Sequence, residues 1–216
     1  CFVFQDGMVM TFNDEVACRK ITSVNITGAV QAKALMAILQ KMDDPELKIR
    51  ENEKGEIEFR GKGKGFGITK EAEIFLPIDK VETPKKWRPL PKEFTEYTAL
   101  VQNCLGKDDT KFLLTCIHIH PEYIEACDNL QAMRCRIRIG NKKSILVRGV
   151  SLKPLASLGM DQVALTRSWI HFKNQSGLVY SCRRYDETYP SLDCIIEFDG
   201  HPIVIPKGIA GASDRA

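Results

Sequence analysis

Two stretches of this chain follow one plan. From Ser23 to Lys70, and again from Ser144 to Arg183, a short alternating strand meets a glycine (Gly28, Gly149). An amphipathic helical stretch follows, and two alternating runs then join through a polar turn. Neither copy is large enough to bury its own apolar face well, so a chain built this way joins its copies into a larger whole. Duplication of this kind points first to a scaffold or ring and only then to a catalyst.

With 216 residues, 44% hydrophobic and 27% charged, the chain has room for one large domain or two small ones. No run reaches the apolar length that crosses a bilayer. The first residue is Cys1 and Phe2-Val3-Phe4 already reads as strand, while Lys207–Ala216 reads as the opening of another helix, so both ends are expected to be truncated. The eight cysteines are scattered without a CxxC pair and sit mostly in apolar or alternating stretches. That pattern suits free buried thiols in a reducing cytosol rather than a disulfide framework. The formal net charge of +3 neither demands nor excludes a polyanionic partner.

Alternation and turn chemistry predict a hairpin, Cys1–Phe4 with Val9–Phe12 around Asp6-Gly7, then a strand at Val24–Ile26. A helix is expected over Gln31–Met42, with Leu35, Met36, Ile38, Leu39 and Met42 on its buried side. Strands at Leu47–Arg50, Ile57–Arg60, Phe66–Thr69 and Glu73–Leu76 follow. Three prolines and three cations between Thr83 and Pro91 make a stiff connector and mark a boundary. Beyond it the pattern gives a helix over Lys92–Leu105. Strands are expected at Phe112–His120, Tyr123–Cys127, Met133–Ile139 and Ser144–Val147, then a helix near Ser151–Leu158. Further strands are expected at Val163–Thr166, Trp169–Lys173, Leu178–Arg183 and His201–Ile205. Helices interleaved with antiparallel hairpins define an α+β chain whose helices cover one sheet face.

Three local runs carry a resemblance. They are Gly106-Lys107-Asp108-Asp109-Thr110-Lys111-Phe112-Leu113-Leu114, Ala126-Cys127-Asp128-Asn129-Leu130-Gln131, and Tyr185-Asp186-Glu187-Thr188-Tyr189-Pro190 with Ile195-Ile196. With the order of elements, they resemble the sliding-clamp family of bacterial or phage DNA polymerase III beta subunits over nearly the whole chain. Asn129, Leu130 and Gln131 stand where that family usually has Gly, His and Arg. The resemblance implies a DNA clamp fold of repeated domains, antiparallel sheets outside and helices on the inner face. It divides the chain into a first clamp domain (1–86), a second (87–196) and the start of a third (197–216).

What the resemblance implies for function is a non-enzymatic ring. Such a ring encircles double-stranded DNA, self-associates, and tethers DNA polymerase and clamp loader, with no membrane and no cofactor. Topological holding needs only weak, sequence-blind phosphate contacts. By position, Lys33, Lys41, Lys107, Lys111 and Phe112 face the duplex, although Glu93 and Glu96 on the second helix would repel phosphate. Leu114, Cys127, Leu130, Ala132, Ile195 and Ile196 carry over as half of a cleft for short apolar partner peptides.

Other constellations compete. Cys116, His118 and His120 alternate on one strand face, a weak metal signal without a fourth ligand. Gly61–Gly67 imitates a phosphate loop, but strands flank it on both sides, which suits a cationic hairpin tip. Arg134, Arg136 and Arg138, next to Lys142 and Lys143, form a stripe on which a nucleic-acid binding protein without ring closure could be built; a solvated sheet face is the plainer reading. No serine or cysteine elbow, HExxH or carboxylate pair supports catalysis.

Overall fold

The computed structural model describes residues 1–71, 80–197, 199–202, 204 and 206. Its spine is a mixed-origin sheet of eight antiparallel strands. The first half supplies β1 (Phe2–Gln5), β2 (Met8–Phe12), β3 (Val16–Ile21) and β4 (Gly28–Val30). Helix α1 (Ala32–Leu39) and a three-stranded sheet of β5 (Lys48–Glu51), β6 (Glu56–Arg60) and β7 (Gly65–Thr69) follow. After β8 (Arg88–Pro89) and helix α2 (Phe94–Gln102) come β9 (Cys116–Ile119), β10 (Tyr123–Cys127), β11 (Ala132–Arg136) and β12 (Ile145–Arg148). Two short helices, α3 (Gly149–Leu152) and α4 (Leu155–Leu158), lead into β13 (Gln162–Leu165), β14 (Trp169–Lys173) and β15 (Val179–Arg183), and a single turn, α5 (Asp193–Ile196), comes after.

The strand order β4-β1-β2-β3-β15-β14-β13-β8 joins the two halves through the pairing of β3 with β15, where Cys18 lies opposite Tyr180 and Val16 opposite Cys182. A second sheet has the order β11-β10-β9-β12. Both repeats run strand, helix, then three-stranded meander, and each gives its strand and its meander to different sheets: β4 and β13–β15 lie in the eight-stranded sheet, β12 and β5–β7 outside it.

Directly opposed residues share a sheet face, so the register can be followed across the seam. Phe4 opposes Val9, Thr11 opposes Cys18, Cys18 opposes Tyr180, Tyr180 opposes Phe172 and Phe172 opposes Val163. All therefore point to one side. Phe4 belongs to the core that α1 covers, with Val30, Leu35, Ile57 and Phe59. Tyr180, Phe172 and Val163 belong to the core that α2, α3 and α4 cover, with Phe94, Val101, Leu152 and Leu155. The helices of both halves thus stand on the same side of one continuous sheet.

The other side is closed differently. Ala17, Trp169 and Val81 pack together there, and residues 80–82 are held across the seam. The Trp169 indole donates to the Lys80 carbonyl (3.3 Å), Arg19 to the Val81 carbonyl (3.2 Å), and the Thr166 hydroxyl to the Glu82 carboxylate (2.6 Å). Beside them His171 is fully buried, its ring nitrogens 3.0 Å from the Thr166 hydroxyl and 2.8 Å from that of Ser181.

Several expectations shift. Strand β3, which the pattern reading did not single out, is the seam. The strand expected at Val24–Ile26 lies instead at Gly28–Val30, so Gly28 opens it, with a φ of +141 that favours glycine. Helix α1 ends at Leu39, leaving Lys41 beyond it, and Met36 (46% exposed) and Leu39 (38%) face outward rather than into the core. The expected single helix at 151–158 is two turns interrupted at Lys153-Pro154, because proline removes a donor and crowds the preceding turn. Gly159, at φ +58, caps the second. The strand expected from Phe112 begins at Cys116, since Asp108 caps a 3-10 turn over Asp109–Thr115 through the Thr110 N–H (2.9 Å) and hydroxyl (2.7 Å). The strand expected at Glu73–Leu76 and parts of that at His201–Ile205 lie outside the described residues. All eight cysteines are free, and Cys104, Cys116, Cys127 and Cys182 are buried. No described helix is long and apolar enough to cross a membrane.

Burial, reinforced by the Arg19 charge, pushes the His171 imidazole down to about 4, against the pull of Glu82. The unfolded chain takes up this proton near pH 6.5, so lowering the pH favours unfolding before the folded histidine can respond. Between pH 6.5 and 5 this costs about 1.5 kcal/mol of stability. Urea titrations across that range are expected to show the loss and to show it abolished in His171→Gln; an unchanged slope in the variant would contradict the assignment.

Candidate functional site

The 3-10 turn that displaces the expected strand also builds a cleft. It lifts Phe112, Leu113 and Leu114 off the sheet and sets them opposite the Glu187–Ser191 turn, around a shallow, largely apolar cavity of about 670 Å³. Beneath it lies a cluster of Cys116, Cys127, Leu146, Tyr189 and Leu192, with Leu114, Ala132 and Ile196 packed against it, and of these Leu114 and Tyr189 line the cavity itself. Tyr189 belongs to both the cavity lining and the cluster. Its hydroxyl accepts from the Cys127 N–H (3.0 Å) and its ring stacks on His118 at 5.0 Å. Burial first, then the contact with the Cys127 thiol, raises the Tyr189 phenol well above its ordinary range, so it stays neutral. Burial likewise pushes the Cys116 thiol up to about 11.

Of the cleft residues expected from sequence, Leu114 lines the cavity, and Cys127, Ala132 and Ile196 pack with it in the cluster beneath. Leu130 does not: Asn129 takes a φ of +80, the Asp128 carboxylate accepts from the Leu130 and Gln131 N–H groups at 2.9 Å each, and the Leu130 side chain is 95% exposed. Ile195 is 62% exposed on the outer side of α5. Sequence reasoning did not place Tyr189, Leu146 and Leu192 in the cleft. Tyr189 was visible as part of the tyrosine-proline turn; the other two carried no local signal.

An ionic tie holds the cleft's C-terminal side. Glu125, 1% exposed on β10, binds His118 on β9 (Nδ1, 2.7 Å) and Arg134 on β11 (Nε, 2.7 Å). The same guanidinium reaches Asp193 (2.7 Å) and Glu197 (3.2 Å), and lies 4.0 Å over the Tyr123 ring. Its hydrogen bond holds the Asp193 carboxyl below the usual carboxylate range. Arg134 thus clamps α5 to the sheet and is not free to meet a polyanion. In the stripe, Arg138 pairs with Glu122 (2.5 Å) while Arg136, Lys142 and Lys143 are exposed.

The candidate metal trio has other occupations. Cys116 is in the cluster beneath the cleft, His118 in the ionic tie, and His120 stacks on Tyr123 at 4.1 Å. Among the described residues no three metal-binding side chains form a group. The Gly61–Gly67 run is the tip and start of the β6–β7 hairpin.

The residues carried over to the duplex side are divided. Lys33 is exposed on α1, Lys41 just past it, and Lys107 and Lys111 in the turn after α2. Phe112 is half-buried, edge-on to Tyr185 at 4.8 Å and beneath Arg148. The outward face of α2 carries Glu93, Glu96 and Leu100. Lys153, exposed between α3 and α4, is a further cation on the helix side that the sequence reading did not name.

No protein-family model matches the sequence, and no curated protein does. Solved structures do. A putative DNA polymerase III beta subunit from Eubacterium rectale matches with a TM-score of 0.73 and 17% identity over 92% of this chain and 60% of that one. The DNA polymerase sliding clamp of Bacillus subtilis matches with a TM-score of 0.70 and 15% identity over 92% and 59%. The Thermotoga maritima beta subunit matches with a TM-score of 0.67 and 14% identity over 90% and 58%. The chain spans about three fifths of the length of these structures.

Removing one partner of the buried tie leaves the other uncompensated, which typically costs 3–5 kcal/mol, whereas replacing both by apolar residues is often near neutral. Arg134→Met is therefore expected to lower stability in urea by roughly 3 kcal/mol or more, and Glu125→Leu/Arg134→Met by much less. Equal losses in both would contradict the tie. From its helices, sheets and connections, this chain has the fold of the DNA polymerase III beta-subunit sliding clamps.

Proposed function

We propose that this chain works as a DNA sliding clamp: a self-associated ring that encloses duplex DNA and tethers polymerase and clamp loader through the cleft beside Leu114 and Tyr189. The observation that carries the reading is the placement of α1, α2, α3 and α4 on one side of a continuous sheet. A continuous outer sheet with these four helices on its inner side is what a wall around a duplex requires. On this reading residues 1–86 and 87–196 are successive clamp domains and 197–216 begins a third.

The weak charge of the helix side fits a sliding role. Lys33, Lys41, Lys107, Lys111 and Lys153 would make the phosphate contacts, and Glu93 and Glu96 would keep them loose, since each phosphate neutralised adds affinity that slows movement. The cleft's apolar floor suits one or two anchor side chains of a short peptide. Nothing in this reading requires bond-making chemistry, and the site residues hold rather than transform a ligand.

Topology gives the test. After assembly on nicked circular duplex, the protein is expected to stay bound through a salt wash and to be lost when the circle is cut. Lys107→Glu/Lys111→Glu should weaken initial binding several-fold regardless of sequence. Equal retention on circular and linear duplex would contradict enclosure.

A further inference from the structure

Strand β13 loses its outer neighbour partway along. It pairs with β8 only at Gln162–Pro89 and Val163–Arg88, and Leu90 N–H donates to the Asp161 carbonyl (2.8 Å). On its inner side the Thr166 N–H donates to the Trp169 carbonyl (3.0 Å). Backbone groups alternate along a strand, so the N–H and C=O of Leu165 point outward, to where β8 would continue through Lys86. The chain has turned away there, and Leu165 has no backbone partner on that edge among the described residues.

A cavity of about 500 Å³ opens at this vacated edge. Lys85, Lys86 and Arg88 line one wall, Lys142 another, and β13 from Val163 to Thr166 the third. The three lysines are exposed, and none of the four cations has a carboxylate within ion-pair distance among the described residues. Lys142 is held in place by its neighbour: the Asn141 amide donates to the Ile119 and Lys143 carbonyls at 3.1 Å each. An open strand edge recognises an extended backbone, and uncompensated cations around it select carboxylates.

We propose that this cavity docks an acidic, extended peptide segment of a partner protein, which adds a short strand beside Leu165 and sets its carboxylates against Lys85, Lys86 and Lys142. A peptide supplies both the backbone donor and acceptor that the edge lacks and the negative charge; a phosphate backbone supplies only the second. This site lies apart from the Leu114–Tyr189 cleft and does not depend on ring closure.

The test is fluorescence anisotropy of the intact chain with a labelled heptapeptide of alternating Glu and Val. Triple reversal, Lys85→Glu/Lys86→Glu/Lys142→Glu, is expected to weaken binding about tenfold, since three exposed pairs each contribute a fraction of a kcal/mol. Lys142→Glu alone, on the separate wall, should weaken it about twofold, and Lys54→Glu, outside the cavity, should not. A peptide N-methylated at alternate residues should bind several-fold more weakly than its parent. Loss of affinity with Lys54→Glu equal to that of Lys142→Glu, equal binding of the N-methylated peptide, or displacement by inorganic phosphate or duplex DNA at lower concentration than by unlabelled peptide would each overturn the proposal.

Discussion

The pairing of β3 with β15 is the contact on which the rest of the molecule depends. It joins residues 160 to 166 positions apart into one ladder, from Arg19 opposite Val179 to Val16 opposite Cys182. Side chains alternate with a period of two, so a slip of one residue here would turn every residue of one half to the opposite face. The seam is accordingly secured beyond its ladder. Tyr185 donates from its hydroxyl to Glu15 (2.7 Å), Arg183 N–H donates to the Glu15 carbonyl (2.9 Å), and residues 80–82 lie across the back through Trp169 and Arg19. With the register fixed, the two cores fall on one side and their helices with them.

The cleft depends on a different device. Cysteines, leucines and an aromatic floor supply apolar surface, but α5 is a single turn that cannot persist alone. Arg134 holds it by reaching both Asp193 and Glu197 while its own charge is compensated by Glu125 from within the sheet. The charge of Arg134 is therefore spent inside the second sheet on shape, while exposed cations lie on the helix side and around the vacated edge of β13.

The α+β class, the repeat and most strands were legible because alternation and helical spacing are local signals. Strand β3 was not: Val-Ala-Cys-Arg-Lys-Ile is buried on both faces near its start, so its apolar residues do not alternate cleanly, and its partner lies at the far end of the chain. The 3-10 turn at Asp109–Thr115 reads as strand from Phe-Leu-Leu alone, and only the Asp108 cap reveals otherwise. Leu130 matched the cleft by position, yet the positive φ of Asn129 throws it outward. In Met36 and Leu39 the helical period marked apolar residues correctly but could not say that the third sheet contacts only the Leu35 side.

The seam's register can be read directly by proton NMR. Arg183 N–H bonds to the Glu15 carbonyl, so Glu15 and Arg183 form a hydrogen-bonded pair and the next positions, Val16 with Cys182 and Cys18 with Tyr180, are the close non-hydrogen-bonded pairs. Strong Hα–Hα Overhauser contacts are expected at both. Their replacement by contacts shifted one residue along either strand would put the helices of the two halves on opposite sides and contradict the account.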